Sequence, residues 1–378
     1  MKFCSNCVMP DTKPGIVLDE RGFCNACRTK EVKEKIDWAA RYNDLSLIVE
    51  DIKAQNNPFY DCIVAVSGGK DSWYQAAVLA EEFGLKVLCV TLAAHLPTTE
   101  GIDNLNEMIK DLNVDHMKIT IKPSVFRKIR RKCFLRQGEP NWAEHCAMFS
   151  SVVNTALIYD VPLVVWGEDI AFEFGGLQRS ESKPSAIAIN KSDLIKEKTI
   201  HDWLDNDISE RDIFFYKYPD YQKLQDAGVK SIYLGHFVRW YGRQNYEFVK
   251  KRGFTGRREG PLPGNFLDYD NIDEKLCEIN IWFKYLKFGF WRATDQTCYD
   301  IWNDRMTRDE AVDIVNRLQA EFPSNDFEHF LRFHDITEEQ FWETVEKFRN
   351  HDIWEQVDGE WKLKYTLEKS QSDEASNA

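Results

Sequence analysis

The residues SGGKDS at 67–72 combine groups that suit phosphate binding: two glycines, two hydroxyls, a lysine and an aspartate. Glycines let backbone N–H groups approach an anion closely, and a helix that follows adds the positive end of its dipole. A lysine supplies a cation, and an aspartate can contact Mg²⁺ or its waters. An ordinary tight turn would need only the glycines. The full pattern therefore predicts phosphate binding by Ser67, Gly68, Gly69, Lys70, Asp71 and Ser72.

Four cysteines near the N-terminus form a second pattern, with the spacing of a metal site. They spell C-x2-C twice, with sixteen residues between the pairs: Cys4, Cys7, Cys24 and Cys27. Each pair can hold one edge of a tetrahedral Zn²⁺, and a small hairpin can return the second pair to the first. Because four thiolates leave no open coordination position, we expect a structural zinc ribbon and not a catalytic metal centre.

The elements around residues 67–72 indicate an α/β fold. The apolar run 61–66 precedes the loop, a helical pattern that Gly84 can stop follows it, and another apolar run comes at 86–92. Strand, glycine turn, helix and strand make a βαβ unit. Further apolar runs lie at 116–121, 161–167 and 231–235. They predict a five-stranded, mostly parallel sheet with helices on both faces, whose ligands bind at the carboxyl ends of the strands.

Composition restricts the class of protein. The chain has 378 residues, a formal net charge of −13 and ten cysteines, six of them scattered. This acidity disfavours broad affinity for nucleic acid or an anionic membrane. We find neither a membrane-spanning run nor a signal-peptide core, and the cysteine usage suits a reducing compartment, so we expect a cytoplasmic protein.

Four regions are expected along the chain. They are a zinc ribbon with a helix of about twenty residues (1–55), a nucleotide-binding domain (56–250), a mostly helical substrate or partner region (251–367) and a polar, disordered tail (368–378). The helix of the first region is expected within residues 31–55.

Acidic residues follow the fourth predicted strand, in the stretch WGEDIAFEFGG. At a ligand edge beside phosphates, Glu168, Asp169 and Glu173 are candidate Mg²⁺ or substrate ligands, with Gly167 beside the phosphates. Solvated acids that cap a helix are the alternative. The pair Gly175–Gly176 closes the stretch.

SGGKDS resembles the PP-loop of the N-type ATP pyrophosphatases. Those enzymes bind the β- and γ-phosphates of ATP there and release AMP and pyrophosphate. The resemblance implies that an amide or carbonyl oxygen is converted into an adenylate, which a nitrogen or sulfur nucleophile then displaces. Lys70 and Asp71 would be the catalytic residues of the loop.

The later motifs narrow the resemblance. SIYLGHFVRWYGRQN, GNFLDYDNIDEKL and KFGFWRATD, followed by TRDEA, resemble the N-acetyl sugar amidotransferase family of bacterial surface-polysaccharide biosynthesis. The similarity spans about residues 1 to 355 and includes the paired cysteines. It implies a HUP-type sheet (adenine nucleotide alpha hydrolase-like) and ATP-dependent conversion of an acetamido to an acetamidino group, on a nucleotide-linked sugar of lipopolysaccharide O-antigen synthesis.

The resemblance also suggests substrate contacts. Lys287 and Arg292 in KFGFWRATD can bind a diphosphate or an acidic group, although surface charge at a helix end explains them equally well. Trp142 and His145, in EPNWAEHCAMF, match the family only loosely. Asp169 stands where the family pattern has asparagine, which puts the role of that position in doubt.

The ammonia source is expected to be a separate protein. None of the ten cysteines lies in the G-x-C-x-G pattern of one glutaminase class, and Lys2, not a cysteine, follows Met1. We therefore expect a HisH-like glutaminase subunit and an HisF-like ammonia-channel subunit, as the family resemblance also implies.

Two other functions fit part of the sequence. A PP-loop tRNA thiolase would use further cysteines, for which Cys133 and Cys146 are the candidates, and the basic run 126–132 could contact RNA, or be a solvated helix face. A non-enzymatic interaction module would combine a zinc ribbon with a degenerate nucleotide-binding domain, but the intact hexapeptide argues against degeneracy.

Overall fold

The fold is described from a computed structural model, which covers residues 1–174, 184–191, 199–318 and 322–369. The pair Gly175–Gly176 and the expected tail from residue 370 onward lie outside the described residues.

Five parallel strands form the central sheet. They are β1 (Cys62–Ala65), β2 (Val87–Leu92), β3 (Asp115–Ile119), β4 (Leu163–Trp166) and β5 (Lys230–Tyr233). The spatial order is β3-β2-β1-β4-β5, and all four neighbouring pairs are parallel. The predicted sheet is therefore confirmed. Since the chain leaves β1 toward β2 and later returns beside β1 as β4, a crevice opens between the carboxyl ends of β1 and β4, where ligands of such sheets bind.

Helices cover both faces of the sheet, as predicted. They are α2 (Trp38–Ala54), α3 (Lys70–Ala77), α4 (Thr99–Leu112), α5 (Pro123–Gln137) and α6 (Trp142–Ile158). Side chains along β1 point alternately to the two faces of the sheet. Ile63 packs into the core with α5 and α6, whereas Cys62 and Val64 pack into the core with α2 and α3. Both faces are therefore apolar and need helices to cover them.

The α3 helix continues through one π-type turn at Val78–Glu82 and stops at Gly84, which adopts φ +59°. This is the stop that the sequence predicted. The helix expected within residues 31–55 is instead two helices, α1 (Asn25–Lys33) and α2. The break follows from Asp37, whose side chain accepts a hydrogen bond from the backbone N–H of Ala40 and so begins α2.

Short helices connect the later strands. They are α7 (Ile170–Phe174), α8 (Tyr221–Asp226), α9 (Leu234–Phe237) and α10 (Gly242–Lys250). Among the residues that the structure describes, no helix has the length and apolar character needed to cross a membrane.

The C-terminal region is mainly helical, as predicted. Its helices are α11 (Cys277–Phe288), α12 (Arg292–Trp302), α13 (Arg308–Leu318), α14 (Phe327–His334) and α15 (Glu338–Phe348). Helices α12 and α13 share a core with the four cysteines, whereas α11, α14 and α15 form a separate core.

An antiparallel hairpin that the sequence analysis did not predict follows α15. It pairs β6 (Trp354–Val357) with β7 (Glu360–Leu363) across a turn at Asp358 and Gly359, both with positive φ. An Asp-Gly turn is a hairpin signal, so the sequence did contain the information.

Candidate functional site

The loop 67–72 connects β1 to α3 at the crevice of the sheet. Gly68 has φ +88°, and a Cβ there would lie 2.3 Å from the carbonyl oxygen of Gly101. Glycine is therefore required at this position by both its backbone and its surroundings. Gly69 precedes α3 as its N-cap, and the Ser72 hydroxyl donates to the Gly69 carbonyl at 3.0 Å. The predicted loop thus leads directly into a helix N-terminus.

Lys70 lies between two carboxylates. Its ammonium is 2.9 Å from Asp71 Oδ2 and 3.0 Å from Asp270 Oδ1. The other oxygen of Asp270 accepts from the Arg292 guanidinium at 3.1 Å. The structure therefore brings together Lys70, Asp71 and Arg292, three of the predicted site residues, and Asp270 joins them.

Two amides secure this cluster. Gln296 donates to Asp270 Oδ2 at 3.0 Å, and Asn245 donates to Asp71 Oδ1 at 2.8 Å. The sequence analysis did not single out Asp270, Gln296 or Asn245. The sequence could have pointed to them through their location, because each lies within or beside a motif that carried the family resemblance.

Charges in the cluster stabilise one another. Burial disfavours the ammonium of Lys70, but Asp270 and Asp71 more than offset this and raise the pKa of Lys70 above its usual value. Burial likewise disfavours the Asp270 carboxylate, yet Lys70 and Arg292 outweigh it and hold the pKa of Asp270 below its usual range. Both groups are therefore charged at neutral pH.

The acids after β4 occupy different surroundings. Gly167 and Glu168 line the crevice, and burial, reinforced by the charge of Asp71, raises the pKa of Glu168 to about 7. Glu173 faces the same cleft and forms an ion pair with Lys33 of α1. Asp169 is buried, at 3% exposure, and is not among the residues that line the cleft.

The cleft consists of two cavities that meet at the Lys70 cluster. One, of about 320 Å³, lies over the loop and the end of β4. The other, of about 240 Å³, extends between α1, α10 and α12. Both are lined by Lys70, Asp71, Glu168, Tyr269, Asp270 and Arg292. The cleft therefore has walls from the cysteine-rich N-terminus, the sheet domain and the C-terminal region.

Three predicted substrate residues lie outside these cavities. The Lys287 ammonium contacts the carbonyls of Gln137 and Gly138 at 2.8 and 2.9 Å, and so caps the end of α5. Trp142 is buried against Trp203, with ring centroids 5.7 Å apart. His145 stacks on Phe149, and burial, followed by the charge of Arg130, lowers its pKa to about 4.

The features that favoured RNA or sulfur chemistry are buried or paired. Cys133 and Cys146 pack in the core beside the sheet and do not line the cleft. The basic run 126–132 is not a wholly solvated face, because Arg130 is fully buried. Arg130 contacts Glu274 at 2.8 Å and Glu144 at 3.1 Å.

The four predicted cysteines converge into a buried cluster. Their sulfur atoms lie within 4.8 Å of one another, with Cys4–Cys27 at 3.8 Å and Cys7–Cys24 at 3.7 Å. Thiolates bound to one tetrahedral Zn²⁺ at 2.3 Å lie about 3.8 Å apart. The backbone N–H of Cys24 donates to the Cys4 sulfur at 3.2 Å, as suits a thiolate. The cluster therefore fits a tetrahedral metal ion.

Comparison with solved structures finds, among other matches, two synthetases and a tRNA thiolase, all at low similarity. The NMN synthetase of Francisella tularensis aligns over 77% of this chain and 99% of its own, with 16% identity and a TM-score of 0.32. The NH3-dependent NAD synthetase of Campylobacter jejuni aligns over 49% of this chain and 99% of its own, with 15% identity and a TM-score of 0.29. The U34-tRNA thiolase NcsA of Methanococcus maripaludis aligns over 85% of this chain and 90% of its own, with 11% identity and a TM-score of 0.30.

Comparison of sequences finds one curated relative and one domain family. The relative is the uncharacterized protein MJ1599 of Methanocaldococcus jannaschii, 32% identical over 115 residues. The match covers 30% of this chain and 41% of the relative's length. Residues 263–368 match the family described as "LPS biosynthesis protein WbpG-like, C-terminal domain". This segment contains Asp270, which contacts Lys70, and Arg292 and Gln296, which both donate to Asp270. Residues 263–368 are therefore similar to the C-terminal domain of WbpG-like proteins of LPS biosynthesis, in agreement with the surface-polysaccharide family that the motifs predicted.

Proposed function

We propose that this protein is the ATP-dependent synthetase of an N-acetyl sugar amidotransferase that acts on a nucleotide-linked sugar in lipopolysaccharide O-antigen synthesis. One observation carries the proposal. Arg292, which lies in the LPS-family domain, reaches Lys70 of the glycine loop through Asp270. Residues of the glycine loop and of the domain that matches the polysaccharide family therefore line one cleft, which supports a shared site.

The residues of the loop would bind the phosphates of ATP. Gly68 and Gly69 let backbone N–H groups approach the anion, and the N-terminus of α3 supplies its dipole. Lys70 would stabilise the charge that develops on the departing pyrophosphate. Arg292 would bind a phosphate or an acidic group of the sugar nucleotide, since a guanidinium can donate two parallel hydrogen bonds.

The reaction would have two steps. In the first, the amide oxygen of the acetamido group attacks the α-phosphorus, a new O–P bond forms, and the bond to the β-phosphate breaks with release of pyrophosphate. In the second, ammonia adds to the imidate carbon, the C–O bond breaks, AMP leaves with the amide oxygen, and the nitrogen loses protons to give the acetamidino group. Alignment of the amide oxygen with phosphorus in the cleft would supply much of the rate.

Two metals would assist. Mg²⁺ would neutralise phosphate charge, and Asp71 and Glu168, which line the cavity over the loop, could contact it or its waters. Zn²⁺ would occupy the four-cysteine site, whose sulfur spacing it matches. With four thiolates around it, this metal would have a structural role.

Ammonia would come from partners. We expect a HisH-like glutaminase and an HisF-like channel subunit, because the chain lacks the sequence patterns of a glutaminase cysteine. The proposal places the protein in the cytoplasm, where ATP and nucleotide-linked sugars are available.

The test is incubation of the protein with Mg²⁺-ATP, ammonium chloride and a panel of nucleotide-linked N-acetyl sugars, including UDP-2,3-diacetamido uronic acid. We expect AMP, pyrophosphate and a sugar whose carbonyl oxygen has been replaced by NH. Lys70→Met should abolish all three products, whereas Lys251→Met, at an exposed helix end, should form them at the wild-type rate. If AMP formed when tRNA was added but with none of the sugars of the panel, the proposal would be refuted in favour of a thiolase.

A further inference from the structure

Helix α12 contributes to the Lys70 cluster near its start and contacts the four-cysteine site near its end. At its start, Arg292 and Gln296 both donate to Asp270, which in turn holds Lys70. At its end, the indole N–H of Trp302 donates to the sulfur of Cys27 at 3.2 Å. An α-helix of this length is a stiff rod of about 15 Å, so displacement of one end moves the other.

A second residue of α12 packs with the cysteines. Cys298 is fully buried and lies in the same core as the four cysteines. Cys298 and Trp302 are four residues apart and therefore lie on the same face of the helix. That face packs in the core of the four predicted metal ligands, and through Trp302 it donates a hydrogen bond to Cys27.

The cysteine-rich segment also contributes directly to the cleft. Cys24 is the N-cap of α1, and Cys27 lies in its first turn. From the same helix, Thr29, Lys30 and Lys33 line the cleft, and Lys33 pairs with Glu173 of α7. Two walls of the cleft, α1 and α12, are therefore both held by the four sulfur atoms.

We propose that Trp302 and Cys298 are positioning residues, which couple metal occupancy of the four-cysteine site to the placement of Asp270 and Lys70. The indole N–H of Trp302 orients the Cys27 sulfur, and Cys298 packs in the same core, so a metal that fixes the four sulfurs would also fix this face of α12. Without the metal, α12 would keep its apolar core with the cysteines but would lose the fixed position of the sulfur to which Trp302 donates. The inference rests on the proposed function, because it assigns a role for the metal in setting the geometry of the ATP site.

The experiment compares Trp302→Phe and Cys298→Ala with the wild type and a matched control, Trp342→Phe. Trp342 lies on α15, and its indole N–H donates to Glu338, away from the cysteines. Metal release to a chromophoric chelator and the affinity for a non-hydrolysable ATP analogue by calorimetry are measured for each. We expect Trp302→Phe to release metal roughly tenfold faster and to bind the analogue several-fold more weakly. Cys298→Ala should show smaller changes in the same directions, and Trp342→Phe none.

Unchanged metal release in both variants, or faster release with unchanged affinity for the analogue, would overturn the coupling. If the wild type did not bind the analogue at all, the proposed function would fail. The coupling would still be decided by hydrogen exchange of the peptides that contain Lys70 and Asp270, measured with and without metal. Faster exchange in both peptides on metal removal would support the coupling, and unchanged exchange would overturn it.

Discussion

The charge of Lys70 is neutralised by two carboxylates, at 2.9 Å from Asp71 and 3.0 Å from Asp270. Asp270 is itself shared with Arg292 and Gln296. On the proposed function, an entering phosphate would have to replace or accompany Asp270 as the partner of Lys70. The free energy of phosphate binding would then be a difference between two favourable interactions, and not the full attraction of a bare cation.

Asp270→Asn should separate these effects. Loss of the competing negative charge should make inorganic pyrophosphate bind several-fold more tightly, as calorimetry would show. The free energy of unfolding should fall by roughly 3 kcal/mol, because Arg292 loses its buried carboxylate partner. Asp268→Asn, two residues earlier in the same segment, is the control. Equal pyrophosphate affinity in wild type and Asp270→Asn would mean that Asp270 does not compete for Lys70.

The two adjacent glycines of the loop should respond differently to alanine. In Gly68→Ala the side chain would meet the Gly101 carbonyl at 2.3 Å on a backbone with φ +88°. We expect a loss of roughly 1–3 kcal/mol from backbone strain alone, and loss of ATP binding as the loop shifts. Gly69 has an ordinary φ of −81°, and a Cβ there would lie 3.4 Å from its nearest neighbour, the Ser67 hydroxyl oxygen. Gly69→Ala should therefore fold as the wild type does. Thermal melts and calorimetry check both, and equal stability of the two variants would contradict this reading.

At the scale of elements, a buried arginine joins α5 and α6 to the segment before α11. Arg130 contacts Glu144 of α6 and Glu274, and its other terminal nitrogen donates to Asn141 at 2.9 Å. One guanidinium neutralises only one of two carboxylates. Burial, followed by repulsion from Glu274, accordingly raises the pKa of Glu144 to about 8, although Arg130 opposes the shift.

This shift predicts how stability depends on pH. The pKa of Glu144 is higher in the folded protein than its ordinary value of 4.5, so unfolding releases a proton between about pH 4.5 and pH 8. The contribution of Glu144 to stability must therefore fall as pH rises through that window. Relative to Glu144→Gln, the wild type should lose roughly 2–4 kcal/mol between pH 5 and pH 8, measured by urea unfolding.

The exposed substitution Glu343→Gln is the control for this effect and should keep the wild-type profile. Parallel profiles for the wild type and Glu144→Gln would show that Glu144 is ionised in the folded protein at neutral pH.

At the scale of the whole molecule, the protein is acidic, with a formal net charge of −13. Most residues of its basic run, 126–132 on α5, form ion pairs with carboxylates. Arg131 contacts Asp335 at 3.2 Å, Lys132 pairs with Asp205, and Lys128 lies 3.8 Å from Asp207. Together with buried Arg130, these pairs place a carboxylate beside four of the five basic residues of the run, all except the exposed Arg127. A polyanion as large as tRNA would also meet the general repulsion of an acidic protein.

We therefore expect no salt-sensitive binding of tRNA. Filter binding at low and moderate ionic strength is the measurement, and a basic tRNA-binding protein serves as the positive control. Affinity that fell steeply with rising salt would show a phosphate-binding surface and would contradict this expectation.

The sequence by itself determined the features that depend on local spacing. The five strands followed from apolar runs, the glycine turn between β1 and α3 from six adjacent residues, and the cysteine cluster from two C-x2-C pairs. Each is specified within a few tens of residues, where periodicity and spacing correspond directly to geometry. The sequence analysis missed the break between α1 and α2, although Asp37 marks it. A single capping residue is a weak signal when the residues on both sides of it favour a helix.

Only the tertiary structure decided which distant residues share the site. Lys70 and Asp270 are 200 positions apart, and no local pattern relates them. Lys287 and Arg292 lie in the same motif, yet Gly289 ends α11 at φ +74° and redirects the chain between them. Arg292 consequently enters the cleft, whereas Lys287 caps α5. Spacing along the chain predicts a shared face only within one helix or strand, and a turn between two elements removes that relation.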